Sequence, residues 1–126
     1  VLTMKKVLAT VLALVMALYR HHTGEQAVGV AGTPDGLDVT ASRTGDRLYL
    51  HVVNTRRDRS VTAKLAIDGM AIRSGQVFEL AADPEFEVIE TQAREIKPVR
   101  KDLPADGLWT FPAASVSAVE VTAATV

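Results

Sequence analysis

The stretch "DRLYLHVVNTRRDRSVTAKLAI", residues 46–67, contains two predicted β-strands joined by a polar loop. Residues 48–54, "LYLHVVN", are rich in β-branched and aromatic residues and are apolar on both faces, which predicts a central strand. In residues 61–67, "VTAKLAI", every second residue is apolar, whereas Thr62 and Lys64 lie on the other face. The polar residues 55–60, "TRRDRS", read as a hairpin loop between them. The stretch therefore predicts antiparallel β-structure.

Similar segments continue on both sides, separated by turn signals at roughly the 8–12-residue spacing of a sandwich or barrel. Strands are predicted at residues 37–42, 75–82, 108–111 and 115–121, with a hairpin loop at 43–47 and a longer polar connection at 83–99. Gly36 in "TPDG" can take the positive φ that such a turn needs. We therefore expect a mainly β protein, in which an N-terminal helix precedes an antiparallel β-sandwich of about seven or eight strands.

The N-terminal segment "MKKVLATVLALVMALYRHHTG", residues 4–24, has two interpretations. Two lysines before an apolar run resemble the start of a secretory signal, but residues 19–22, "YRHH", occupy the place of the small residues that a cleavage site needs. As a helix, residues 7–19 would span about 20 Å, which is short for a bilayer core of roughly 30 Å. A membrane span is therefore not favoured.

The helical interpretation accounts for more of these residues. Thr3 can cap the start, cations occupy the last turn, and Gly24 can supply a left-handed C-terminal cap. The helix is apolar nearly all the way round, which is typical of burial on several sides. We expect its interface residues to be Val7, Leu8, Val11, Leu12, Val15 and Leu18. Because the remaining chain can cover one face only, we expect the chain alone to self-associate through this helix.

Composition excludes several classes of function. The 126 residues predict one domain, and a net charge of −1 gives no bulk attraction for nucleic acid. The chain has no cysteine, so disulfides, thiol nucleophiles and cysteine metal sites are excluded. The sequence has no glycine-rich phosphate loop, nucleophile elbow or paired zinc-ligand spacing, and we expect neither a cofactor nor a metal.

Candidate catalytic groups have simpler structural explanations. His21 and His22 would point about 100° apart on a helix, which makes a poor metal pair. His51 is alone in a strand and fits an interior or interface histidine. The carboxylates of residues 83–90 would lie along one strand rather than face each other across a sugar, as a glycosidase requires. We therefore predict no catalytic residue in this chain.

Three side chains remain as weak candidates for sugar contact: His51, Arg56 and Trp109. Arg56 belongs to the arginine-rich loop at 55–60, where basic side chains can hold phosphate or hydroxyl groups, although a solubilising loop tip explains them as well. Trp109 could stack on a sugar ring if it is exposed, but burial in a sandwich core fits it better.

Four stretches together resemble the C-terminal part of retaining (β/α)8-barrel glycoside hydrolases, most closely the α-L-arabinofuranosidases. Residues 1–3, "VLT", resemble the end of the last barrel strand, although Met4 stands where the family usually has proline. Residues 7–28 resemble the final barrel helix. Residues 46–67 are similar to a two-strand unit of the C-terminal sandwich, with Asn54 closing the first strand, and residues 109–121 are similar to its closing strand. The connection at 83–99 is longer than this family would have.

The resemblance implies that residues 1–24 are the terminal helix of a preceding barrel and that residues 25–126 form a C-terminal β-sandwich. The family's catalytic glutamates lie on earlier barrel strands, so the segment would be non-catalytic and would brace the barrel of an enzyme acting on plant-type polysaccharides. Strands from the missing part would leave a sheet edge unpaired. The alternative is a small exported or membrane-anchored β-sandwich binding protein with residues 4–19 as its signal or anchor. The first interpretation favours the cytoplasm and the second export.

Overall fold

The computed structural model describes residues 15–56, 58–81 and 98–125. Residues 15–21 form the helix α1. Eight strands follow within the described residues: β1 (Gln26–Val28), β2 (Leu37–Thr44), β3 (Arg47–Asn54), β4 (Val61–Lys64), β5 (Met70–Ala81), β6 (Val99–Asp102), β7 (Leu108–Phe111) and β8 (Ser115–Thr125). The predicted fold class, a helix followed by an antiparallel β-sandwich of seven or eight strands, is confirmed.

Six strands form one antiparallel sheet in the order β1-β2-β3-β8-β5-β6, and β4 and β7 form a separate two-stranded ribbon. The strand β8 lies at the centre of the large sheet, where it pairs with β3 on one side and with β5 along its whole length on the other. The predicted central position of β3 is also confirmed, because it lies between β2 and β8.

The ribbon covers one face of the large sheet and encloses the main core. Val77, Val119 and Val121 of the sheet are at most 3% exposed and lie in one cluster with Phe111 of the ribbon. Val61, Ala63 and the other inward residues of the ribbon pack against this cluster, while Thr62 and Thr110 point outward and join through their hydroxyls at 2.8 Å. The ribbon therefore shows the predicted alternation of apolar and polar faces.

The helix covers part of the opposite face. Leu18 is 4% exposed and packs with Leu80 and Ala118 of the sheet, and Val15 and Tyr19 contact the same cluster. Met16 points away from the sheet and is 62% exposed. Val7, Leu8, Val11 and Leu12, the other expected interface residues, lie outside the described residues. Among the described residues, no helix is both long and apolar enough to cross a bilayer.

Two local predictions are wrong. The loop at 55–60 is not a hairpin, because β3 and β4 belong to different sheets and the loop carries the chain from one layer to the other. Gly24 is not a left-handed cap, since positive φ occurs at Gly36 and four other glycines but not at Gly24. Gly24 is needed for close approach instead, because a Cβ there would lie 2.5 Å from the backbone of Arg43. The positive φ predicted for Gly36 is confirmed at 91°.

Replacing Phe111 by alanine should destabilise the protein far more than replacing Leu108 by alanine on the same strand. Phe111 is 6% exposed in the main core, so its truncation removes apolar burial and leaves a cavity, at a cost of roughly 3–5 kcal/mol. Leu108 is 45% exposed on the outer face, where such a change stays within about 0.5 kcal/mol. Urea unfolding of both variants measures the difference, and equal losses would contradict this assignment of faces.

Candidate functional site

The end of the helix is joined to the sheet by a group of aromatic and polar side chains, which we call the helix seam: Tyr19, His22, Thr23, Phe78, His51, Glu120 and Arg47. The His51 ring lies parallel to the Tyr19 ring with centroids 3.9 Å apart, and the His22 ring stacks on Phe78 at 4.1 Å. Both histidines therefore contact aromatic rings across the boundary between helix and sheet.

The hydrogen bonds of His51 define its role. Its Nε2 lies 2.8 Å from the carbonyl oxygen of His22, and because a carbonyl only accepts, Nε2 carries the proton. The hydroxyl of Thr23 lies 3.1 Å from the same nitrogen and donates its own proton to the carbonyl of Tyr19. A protonated Nε2 has no free lone pair, so in this tautomer it cannot take a proton from Thr23 as the base of a nucleophile–base pair would.

Glu120 forms the charged part of the helix seam. Its carboxylate accepts from Nδ1 of His22 at 3.2 Å and from Nη1 of Arg47 at 3.0 Å. The hydroxyl of Tyr49 and the Glu120 carboxylate together raise the pKa of Arg47. Burial raises the pKa of Tyr19 to about 12, so the phenol stays neutral at ordinary pH. The seam thus holds the helix end by stacking and hydrogen bonds rather than presenting reactive groups.

Trp109 faces the sheet rather than standing free on the surface. Its Nε1 donates to Oε1 of Glu79 at 2.7 Å, and Nζ of Lys101 donates to Oε2 of the same carboxylate at 2.8 Å. Glu79 is 4% exposed, and both of its oxygens are paired, as a buried carboxylate requires. This carboxylate, which we did not predict from the sequence, ties the ribbon strand β7 to the sheet strands β5 and β6.

Asn54 ties the ribbon at its other end. The side-chain amide of Asn54, which is 2% exposed, lies within 3.2 Å of the carbonyls of Arg59, Phe111 and Pro112 and donates to them. Its oxygen accepts from the backbone N–H of Arg56 at 2.9 Å. The exposed Arg56 side chain packs over Gly36. Sugar contact by His51, Arg56 or Trp109 stays a prediction, because these contacts bring the three side chains into no common site.

An apolar cleft of about 500 Å³ lies between the large sheet and the ribbon. Strands β2 and β3 contribute aliphatic side chains, including Val39, Leu48 and Leu50, to one wall, and the ribbon side contributes Leu65 and the following residues to the other. Charged groups of both signs, among them Arg43, Asp46, Lys64 and Asp68, line the cleft as well. A cleft lined in this way offers burial for an apolar element more readily than polar groups for catalysis.

Among the described residues, one edge of the ribbon has no paired strand beside this cleft. Leu65 donates its N–H to Gly107 at 2.9 Å, which continues the β4–β7 ladder. Because N–H and C=O groups alternate in direction along a strand, Thr62 and Lys64 direct theirs away from β7. No strand among the described residues pairs with that side of β4. A strand edge without a partner has N–H and C=O groups that can pair with a further extended segment.

The described part of the chain contains no cluster of three or more potential metal ligands. The carboxylates at 83–90 lie outside the described residues, so their arrangement stays a prediction.

No protein-family model matches the sequence, and no curated protein matches it. Solved structures share its fold. An α-L-arabinofuranosidase from Thermotoga maritima, in complex with arabinose, superposes with a TM-score of 0.67 at 21% identity. A family 51 α-L-arabinofuranosidase from Thermotoga petrophila gives 0.66 at 21% identity, and a family 30 subfamily 8 xylanase from Clostridium acetobutylicum gives 0.60 at 11% identity.

These matches cover most of this chain but little of the other proteins. They include 83%, 82% and 85% of this chain, and 27%, 27% and 26% of the three enzymes, respectively. At this level of identity the likeness establishes the fold alone. The chain is thus similar in fold to part of larger glycoside hydrolases, mostly arabinofuranosidases.

Replacing Tyr19 by phenylalanine should change the response of the protein to alkaline pH. Burial raises the pKa of Tyr19 from 10.0 to about 12, so the unfolded chain loses this proton before the folded one does. The stability that the neutral phenol contributes is therefore present below pH 10 and is lost as the pH rises toward 12. Urea unfolding at a series of alkaline pH values should show a steeper fall for the wild type than for Tyr19→Phe. Equal slopes would contradict the prediction.

Proposed function

We propose that this chain is the non-catalytic C-terminal segment of a glycoside hydrolase that acts on plant-type polysaccharides, and that it braces a catalytic (β/α)8 barrel. The observation that carries the proposal is the unequal coverage: the fold match includes at least 82% of this chain but at most 27% of the three enzymes. In this proposal residues 1–24 are the last barrel helix and residues 25–126 are the sandwich.

The helix supports the bracing role. One side of it is occupied by Leu18 and Val15 on the sheet, while Met16 exposes a large apolar side chain on the other side. Such a side chain at 62% exposure is suited to contact a second body, and in the proposal that body is the barrel.

The edge of β4 that no described strand pairs with supports the same proposal. A strand paired with Thr62 and Lys64 would complete the ribbon and cover Leu48 and Leu50 at the cleft. In the proposal that strand comes from another part of the parent protein. The seam and the ribbon then brace the enzyme mechanically, and the catalytic carboxylates belong to the barrel.

Immunodepletion tests the proposed function. An antibody raised against this chain should remove α-L-arabinofuranosidase activity on an aryl arabinoside from a lysate of the source organism, because the chain and the barrel would be one polypeptide. The same antibody should detect a protein several times heavier than the 13.5 kDa chain. Undiminished activity together with a band near 13.5 kDa, in the cell or exported, would instead support the small binding protein.

The proposal also predicts how the isolated chain associates. Made alone, it should self-associate through the outward face of the helix and should not hydrolyse aryl arabinosides or xylosides. Met16→Glu should weaken that association, whereas Leu108→Glu, a matched change at an exposed leucine on the opposite side of the molecule, should leave it unchanged. Sedimentation velocity measures the association state of both variants. Val15 is unsuitable for this test because it packs on the sheet. A monomeric wild-type chain in sedimentation velocity would contradict the prediction.

A further inference from the structure

The helix is attached to the sheet by two kinds of contact. Leu18 and Val15 pack on Leu80 and Ala118, and apolar contacts of this kind stabilise docking without fixing a single orientation. The directional contacts lie at the helix end, where the His51 ring meets Tyr19 and the carbonyl of His22. The orientation of the helix therefore depends on the directional contacts at its end more than on the apolar contacts.

His51 is well placed to act as a fixed reference for the helix. It lies in β3 and pairs with Thr40 of β2 and Ala118 of β8, so strands on both sides hold its backbone. Its ring is half-buried and nearly parallel to the Tyr19 ring, with an angle of 2° between the planes. The stack restricts rotation of the helix about its own axis, and the bond to the carbonyl of His22 restricts sliding along it.

We propose that His51 is the positioning residue of a joint that fixes the direction in which the helix leaves the β-sandwich. The joint has two separable parts, the stack on Tyr19 and the hydrogen bond from Nε2 to the carbonyl of His22. The hydrogen bond from Nδ1 of His22 to the Glu120 carboxylate and the stack of His22 on Phe78 strengthen the same end of the helix. If the preceding barrel of the proposed function exists, the joint sets its angle to the sandwich, but the joint itself is a property of this chain alone.

Two substitutions separate the parts of the joint. His51→Gln keeps a side-chain N–H for the His22 carbonyl but removes the ring, and His51→Phe keeps a ring for Tyr19 but removes the donor. His51→Ala removes both. His21→Ala is the matched control, because His21 is an exposed histidine at the same helix end.

Spin-label distances report the direction of the helix. Because the chain has no cysteine, Met16→Cys and Lys64→Cys place one label on the exposed side of the helix and one on the exposed face of the ribbon. Dilution with unlabelled chain removes distances between associated copies from the signal. Pulsed electron paramagnetic resonance should give a narrow distance distribution with native His51 and with His21→Ala. We expect a shifted and broader distribution with His51→Ala, and intermediate widths with His51→Gln and His51→Phe.

Trypsin measures how firmly the helix end is held. Cleavage after Arg20 requires the last helical turn to open, and loss of one hydrogen bond worth roughly 1 kcal/mol should make it about fivefold faster in His51→Phe. Cleavage after Arg59, in the exposed loop, is the internal control and should not change.

An unchanged distance distribution and an unchanged rate after Arg20 in folded His51→Ala would overturn the proposal. If His51→Ala does not fold, His51→Gln and His51→Phe decide. Wild-type distance distributions and cleavage rates in both variants would overturn the proposal. Broader distributions and faster cleavage after Arg20 would support it. Because these measurements use the isolated chain, they are independent of the immunodepletion that tests the proposed function.

Discussion

The structure depends on one constraint, the burial of β8 on both of its faces. This strand pairs with β3 and β5, and its side chains alternate between two apolar surroundings: Val119 and Val121 face the ribbon, and Ala118 faces the helix. A sheet with this strand at its centre is not stable with either face open to water, because apolar surface on both sides must be removed from solvent. Among the described residues, the helix covers one face and the ribbon covers the other.

The helix and the ribbon are attached to the large sheet by different contacts. The ribbon is held at separate points by buried polar groups, Glu79 with Trp109 and Asn54 with the carbonyls around Phe111. The helix is held by a small apolar cluster and by the seam at its end. Within the described residues, a cleft lies beside β4 and the Met16 side chain is exposed. The sheet thus has a well-packed centre, and the cleft beside β4 and the exposed side of the helix suit further contacts.

Local sequence patterns predict part of this arrangement. The β-branched, alternating residues of β2, β3, β4 and the start of β8 predict strands, because side-chain patterning in a half-buried sheet is local. The strands β1 and β6 are missed, since "QAV" and "VRKD" are too short to show an alternating pattern, and "VRKD" is mostly charged. The loop at 55–60 is misread because a local turn pattern does not reveal which sheet the next strand joins.

The candidate sites are predicted less well for the same reason. Glu79 is a buried carboxylate whose partners, Lys101 and Trp109, lie more than twenty residues away in sequence, and no local pattern relates them. His51 is the exception, since a lone histidine in an apolar strand indicates an interior or interface role. Its actual partners, Tyr19 and the carbonyl of His22, still depend on how the helix packs.

The proposed role as a segment of a larger enzyme rests on the unequal coverage, and DNA sequencing upstream of Val1 in the source genome tests it most directly. The account predicts an in-frame coding sequence with alternating strand and helix patterns of a (β/α)8 barrel. A stop codon in frame shortly before Val1, or upstream coding sequence without a barrel pattern, would contradict it.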